Sequence, residues 1–522
     1  MNDNAQSSLL ITKIALIVAL GGFLMGFDAS VISGVIKFIE LEFALTKIQI
    51  GWAVSSLSLV ATFAMLVSGP LSDKFGRKPV LKVAALLFLI SAIASAFASS
   101  YTMLVAARML GGLGVGAALI IAPMYIAEMS PAKIRGRMVS MNQLNIVIGI
   151  SVAFFSNYLI LQWSQENPSW VSSLGIDQHN WRWMLGVEAI PALFYLVFLY
   201  FVPESPRWLV MQGRQTEAKT ILQTLQPNND VDADVAEIEN SIQDVSGAKA
   251  NKLSELFNSK MKLVMIVGIS IAVLQQITGI NAVFFYAPMI FEQSGIGTDA
   301  AFMQAVAVGL VNLVFTFVAI YLIDKLGRRQ LLVYGVTGIA IAMLSLSHGF
   351  YSARYQITQQ DLVHLSDEVK TPKLIAAVDK EFDGELAFKA GLRERLGNDL
   401  YQANESSILK AGIKMNQTQV LVSILAFVAC FAFSLGPVMW VLFSELFPNY
   451  IRGLAISFVG LVNSGVSFGI QFIFPWELAT IGSAATFFIF GVFAAVGLLI
   501  ILKYLPETKG KSLEELEHIL VK

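Results

Sequence analysis

Twelve stretches of this chain are apolar over a length that crosses a bilayer: about 10–36, 49–71, 79–98, 102–122, 138–161, 183–202, 262–290, 300–323, 330–350, 418–443, 454–474 and 482–504. Crossing takes ~20 such residues as a helix. Hydrocarbon offers the backbone no partners, so each stretch must satisfy its own N–H and C=O groups. Six stretches precede and six follow a polar segment near 204–260. The expected fold is an all-α membrane protein with twelve transmembrane helices in two six-helix pseudo-symmetric bundles. The expected divisions are 1–203 for the first bundle, 204–260 for a helical linker, 261–505 for the second bundle and 506–522 for a tail. Only 14% of the residues are charged, against ~25% in a typical soluble protein. The net charge of −1 sets up no field to draw nucleic acid, so no such partner is expected.

Basic residues orient the spans. The connections after even-numbered spans carry Lys74, Arg77, Lys78 and Lys82, then Lys133, Arg135 and Arg137, then Lys325, Arg328 and Arg329, then Arg452. The connection at 163–180 contains no Lys or Arg. The positive-inside rule then puts both termini and the linker in the cytoplasm and an insert at 351–415 outside, in a multi-pass protein of the plasma (cell inner) membrane. The apolar run from Leu9 is longer than a signal-peptide core and lacks a small-residue cleavage site, so it reads as a retained first span. The linker is amphipathic over Thr216 to Leu225 and Val235 to Ile242, and the insert is patterned as helix over Ala376 to Leu396. Asn404-Glu405-Ser406 and Asn416-Gln417-Thr418 match glycosylation acceptors, a triplet that arises often by chance. Cys430 has no second cysteine with which to form an intrachain disulfide.

Polar residues inside such spans are expensive and need a reason. The seventh span carries Gln275-Gln276-Ile277-Thr278-Gly279-Ile280-Asn281, then Phe284, Phe285, Tyr286 and Pro288. Gly279 and Pro288 can break the helix there, which a membrane tolerates where the backbone lines a cavity. Amides donate and accept hydrogen bonds, which suits a ring of hydroxyls, and aromatic residues suit its apolar face. The competing role is glue between helices, typically worth about 1 kcal/mol per bond. A cluster beside a helix breaker favours a binding site. On one helix the adjacent Gln275 and Gln276 point different ways, unless the break re-aims one of them. Asp28 lies mid-span in the first helix and Arg108 in the fourth. Desolvation favours the neutral acid and a nearby cation favours the carboxylate, so a small change of geometry loads or releases a proton. A permanently ionised structural pair is the alternative.

The two halves repeat. Gly69 to Lys78 returns as Asp324 to Arg329, Glu128 to Gly136 returns as Glu445 to Gly453, and Pro203-Glu204-Ser205 returns as Pro506-Glu507-Thr508. Two six-span halves of one orientation suit a carrier whose site lies between them. At these residues the chain resembles the sugar porter family of the major facilitator superfamily, over essentially its whole length. The D-K-x-G-R-K loop, the P-M-Y-x-x-E-x-x-P-x-x-x-R-G segment, P-E-S-P-R-W at 203–208, Q-Q-x-x-G-x-N and P-E-T-K-G at 506–510 stand in family order.

The resemblance implies alternating-access transport of a monosaccharide. It implies sugar contacts from Gln143, Gln275, Gln276, Asn281, Asn312, Trp440 and Asn463, and proton coupling through Asp28 with Arg108 as its partner. An acid at Asp28 is similar to the proton-coupled members, where facilitative carriers tend to have Asn. Asp73, Arg77, Glu128, Arg135, Asp324, Arg328, Glu445 and Arg452 look like the family's cytoplasmic gate, expected to pair across the halves and to open with the site. Ile150 and Phe284 stand where xylose carriers often have Gln and Leu, which points to a hexose similar to glucose. Ser464 stands where many members have Trp, removing an aromatic wall.

Other functions find no support. His179, His348, His364 and His518 show no ligand spacing, and no cofactor is expected. No Walker A segment is present, and Gly111-Gly112-Leu113-Gly114-Val115-Gly116 lies inside a span with no preceding strand, so it reads as helix packing rather than a dinucleotide site. A facilitative uniporter is the nearest alternative. A transporter-like sensor would need a longer signalling tail than the one after Leu505.

Overall fold

A computed structural model describes residues 3–166, 168–227, 230–247, 253–258, 261–448, 451–509 and 515. Twelve helices among them are long and apolar enough to cross a membrane: Ser7–Glu42, Lys47–Phe75, Arg77–Ala96, Tyr101–Met129, Ile134–Glu166, Asn180–Phe198, Lys262–Glu292, Thr298–Ile323, Arg328–Tyr351, Gln417–Leu446, Arg452–Thr480 and Gly482–Tyr504. Every stretch expected to cross is one of them. They are called here the first to twelfth spans.

The chain groups into two compact units. The first comprises Met1–Ala29, Ser56–Ala153 and Arg182–Lys252, and the second comprises Ser30–Ser55, Phe154–Trp181 and Leu253–Lys522. The first, second, fifth and sixth spans are each divided between the units, and a further boundary falls within the linker, between Lys252 and Leu253.

In the first unit the core is built from Leu24, Phe88, Tyr125, Ile126, Met129, Tyr195 and Leu199. The first and fifth spans meet there at backbone distance: a Cβ on Gly26 would lie 2.0 Å from the carbonyl oxygen of Ile146. This is the small-residue packing that membrane helices need in the absence of a hydrophobic drive between them. The linker contributes helices Pro206–Met211, Gln215–Leu225 and Val231–Gly247. They close on one another through Trp208, Leu209, Ala218, Leu222 and Val235.

In the second unit the insert is a small folded body. Strands Arg354–Tyr355 and Ile413–Lys414 pair antiparallel at its base. Tyr355, Phe388, Leu392, Tyr401 and Ile408 fill its centre. Its longer helices are Gly384–Leu396 and Asn398–Gly412. The helix expected from Ala376 begins only at Gly384, because Asp379 (φ 62°) takes a left-handed conformation that a right-handed helix excludes. Glu385 ties the insert to the start of the twelfth span, accepting from Ser483 N at 2.8 Å and Ser483 Oγ at 3.1 Å.

Candidate functional site

The seventh span is two helices, Lys262–Ile277 and Ile280–Glu292. Between them Gly279 adopts φ 90° and ψ 16°, a left-handed conformation nearly free for glycine and costly for other residues. A Cβ there would also lie 2.5 Å from Phe490 Cδ2. Gly279→Ala is therefore expected to destabilise the protein by about 2 kcal/mol, read as a lower unfolding midpoint of the purified chain in detergent. Tyr286, with φ −128°, kinks the second helix ahead of Pro288. The tenth span is also divided, into Gln417–Phe433 and Leu435–Leu446, at Ser434. Pro437, three residues on, removes one helix donor and crowds the preceding turn.

The break folds the amides of the seventh span into one network with the eleventh. Gln276 Nε2 donates to Gln275 Oε1 at 3.2 Å and to Asn463 Oδ1 at 3.1 Å. Asn463 Nδ2 donates to Gln275 Oε1 at 2.9 Å and to the Ala272 carbonyl at 2.8 Å. Gln275 Nε2 reaches across to the Leu435 carbonyl at 3.1 Å, at the break in the tenth span. Asn281 Nδ2 donates to Gln276 Oε1 at 2.7 Å and to Ser467 Oγ at 2.6 Å. Gln471 Nε2 donates to the same Ser467 hydroxyl at 2.8 Å, and its carbonyl accepts from Tyr286 OH at 2.7 Å. Gln275, Gln276 and Asn463 are 6–8% exposed, so the network stands in place of water.

The structure thus brings Gln275, Gln276, Asn281 and Asn463 together, and both glutamines join one network although they are adjacent. Trp440 is 45% exposed, with its ring 3.7 Å from where a Cβ on Gly460 would sit, on the same eleventh span as Asn463. Asn312 is buried at 5% in the eighth span, and among the described residues its side chain does not hydrogen-bond to the network. Gln143 is exposed on the fifth span, in the first unit. Phe284, Phe285 and Tyr286, expected to face a sugar ring, are buried at 7%, 7% and 0%. The Tyr286 ring packs on Phe474. Ser467 and Gln471 were not among the sequence candidates. Their spacing of four from Asn463 puts all three on one helix face, and that was the signal available.

Asp28 and Arg108 form a buried ion pair in the first unit, Nη1 to Oδ1 at 3.1 Å, with residue exposures of 2% and 1%. Asp28 Oδ2 has no hydrogen-bond partner among the described residues. It lies where a Cβ on Gly111 would come within 2.8 Å. Glu188 completes the group. It is 4% exposed and interacts electrostatically with both Asp28 and Arg108. It occupies the gap between helices Asn180–Gly186 and Ala189–Phe198 of the sixth span. Nothing local in the sequence marks it, because its partners Asp28 and Arg108 lie far off in the chain. Glu188 is thus a second acid beside this buried arginine.

The candidate gate residues pair within each repeat. Arg77 holds Glu128 in a fork, Nη2 to Oε1 and Nε to Oε2 both at 3.1 Å, and Asp73 Oδ1 at 2.8 Å. Arg328 holds Glu445 Oε1 by Nη2 at 2.8 Å and Nε at 3.1 Å. Ser205 Oγ donates to Glu128 at 2.5 Å, and Thr508 Oγ1 to Glu445 at 2.6 Å. Glu204 accepts from Arg77 N at 3.1 Å and Glu507 from Arg328 N at 3.0 Å, each at the start of a helix whose dipole favours a carboxylate. The repeated Pro-Glu-Ser/Thr segments are therefore clamps. These ion pairs lie within each half, Asp73 four residues before Arg77 and Glu128 against its planar fork. Arg452 Nε donates to the Phe447 carbonyl at 3.0 Å and Arg135 is exposed. The side chain of Asp324 lies outside the described residues. Among the described residues no group of three His, Cys, Asp or Glu side chains is placed to hold a metal ion.

A family model described as "Sugar (and other) transporter" matches residues 14–361 and 400–520. The D-xylose-proton symporter of Escherichia coli (strain K12) is 33% identical over 551 aligned positions, covering 99% of this chain and 97% of its own. The glucose transporter GlcP of Staphylococcus epidermidis is 30% identical, covering 97% of this chain and 96% of its own. A solved structure of the xylose transporter XylE from E. coli, in a partially occluded inward open conformation, matches with a TM-score of 0.73 and 31% identity, over 96% of this chain and 99% of that one.

Proposed function

This chain belongs to the sugar transporter family of the major facilitator superfamily, and on that premise we propose that it carries a monosaccharide together with a proton across the plasma membrane. It is a multi-pass membrane transporter rather than an enzyme. The observation that carries proton coupling is the Asp28–Arg108 pair, buried with one carboxylate oxygen unpartnered. In hydrocarbon an unpaired charge is expensive, so Arg108 keeps Asp28 charged until a proton takes its place. Protonation at Oδ2 weakens the hold of Arg108 on the first span. A two-state helix arrangement biased by one proton is what alternating access requires.

Sugar recognition is assigned to the seventh- and eleventh-span network, with Trp440 as a stacking face and Gln143 and Asn312 as further contacts. Asp73, Arg77, Glu128, Arg135, Asp324, Arg328, Glu445 and Arg452 form the gate, on the cytoplasmic side with both termini. Ile150 and Phe284 favour a hexose, although relatives include carriers named for xylose and for glucose. The domain division at 1–203, 204–260 and 261–505, with the insert at 351–415 outside and the tail at 506–522, belongs to the same proposal. The test is uptake of labelled glucose, galactose, xylose and arabinose into proteoliposomes with the inside made alkaline. Glucose is expected to compete with the lowest half-inhibiting concentration. A pentose competing better than every hexose would overturn the hexose assignment.

A further inference from the structure

Counting donors and acceptors in the network separates the groups that are already committed from those free to meet a ligand. Gln276 spends its amide nitrogen on Gln275 and Asn463 and its oxygen on Asn281. Gln275 spends its oxygen on two donors and one of its two amide hydrogens on Leu435, the other remaining inside a side chain only 6% exposed. Asn463 is committed at both ends. Asn281 spends both amide hydrogens, on Gln276 and Ser467, and keeps Oδ1. Ser467 Oγ accepts from Asn281 and Gln471, which fills both lone pairs of a hydroxyl and leaves only its proton to give. Asn281 is half-buried and more open than Ser467, Gln275 and Gln276, and Ser467, bonded to it, is 9% exposed.

We infer that Ser467 is a direct hydrogen-bond donor to the transported sugar, acting with Asn281 Oδ1 as acceptor, and that Gln471 is the positioning residue that fixes the direction of the Ser467 proton. One donor and one acceptor on bonded neighbours suit a sugar hydroxyl, which accepts at its oxygen and donates its own hydrogen. Two neighbouring hydroxyls on the ring would fit equally. Gln275, Gln276 and Asn463 then act chiefly by holding Asn281 and the broken seventh span in place. Gln471 is 1% exposed, and its carbonyl is held by Tyr286 beyond the break, so its amide reaches Ser467 from a fixed base. This assignment deepens the transport reading and rests on it.

The test pairs protein changes with sugar changes. The full chain in proteoliposomes is assayed as wild type, Ser467→Ala, Ser467→Thr and Gln471→Leu, against glucose and its single-deoxy derivatives. Losing one neutral hydrogen bond is worth about a fivefold to tenfold change in KM. Ser467→Ala is expected to raise KM for glucose by that factor with Vmax little changed. For the one deoxy sugar that lacks the partner hydroxyl, the same change is expected to move KM by under about twofold. Ser467→Thr keeps the hydroxyl and is expected to recover most of the loss, and Gln471→Leu to reproduce the alanine pattern at smaller size. A purely structural role for Ser467 would penalise every derivative equally, and that result overturns the assignment while leaving the transport reading intact. A wild-type chain that moves none of the sugars overturns the transport reading itself.

Discussion

Asp28→Asn is expected to abolish uphill sugar accumulation while leaving sugar exchange between preloaded vesicles and medium largely intact. With one proton per sugar, each unit of pH gradient sustains about a tenfold concentration ratio. In the variant the ratio is expected to fall to about one. The side chain keeps its shape, and its amide oxygen still accepts from Arg108, which sits at 3.1 Å from Asp28. What it loses is a site whose charge a proton can cancel. Glu188 remains beside Arg108, so the arginine is not left as an isolated buried cation, a change that would cost several kcal/mol. Labelled-sugar accumulation and exchange measured on the same vesicles separate loss of coupling from loss of folding. Accumulation at the wild-type ratio would remove Asp28 from the coupling step.

Gln276→Ala is expected to lower the specificity of transport, Vmax/KM, by about 100-fold or more. Gln276 is the node of the network, bonded to Gln275, Asn281 and Asn463. Each buried polar group left without a partner costs about 1–3 kcal/mol, and two such losses reach that factor. The damage passes to Asn281, whose amide is no longer held beside Ser467. Initial-rate uptake over a range of sugar concentrations measures it. A parallel unfolding midpoint shows whether the chain still folds. A Vmax/KM within threefold of wild type would show that the network is helix glue.

The spans were legible because hydropathy is a local property, and the seventh-span break was legible because Gly279 and Pro288 announce it. The identity of the sugar-facing atoms was not. Ser467 looks like any small residue of a packed span, and its commitment to Asn281 and Gln471 exists only once two distant segments fold together. Glu188 was hidden in the same way, since its meaning depends on Asp28 and Arg108, which lie far off in sequence. Acid and base at repeated spacing pointed to Arg77 with Glu128 and to Arg328 with Glu445, but which acid meets which base depends on side-chain geometry. The roles of Glu204 and Glu507 as carboxylates at helix starts followed the same rule.

The central claim is that sugar and proton move together through one polypeptide. The most direct test is proton flux into proteoliposomes loaded with a pH-sensitive dye, with glucose added outside and no gradient imposed. The account predicts acidification of the interior that starts with the sugar, scales with its uptake and is absent in Asp28→Asn. Sugar entry at the wild-type rate with no change of internal pH would contradict it.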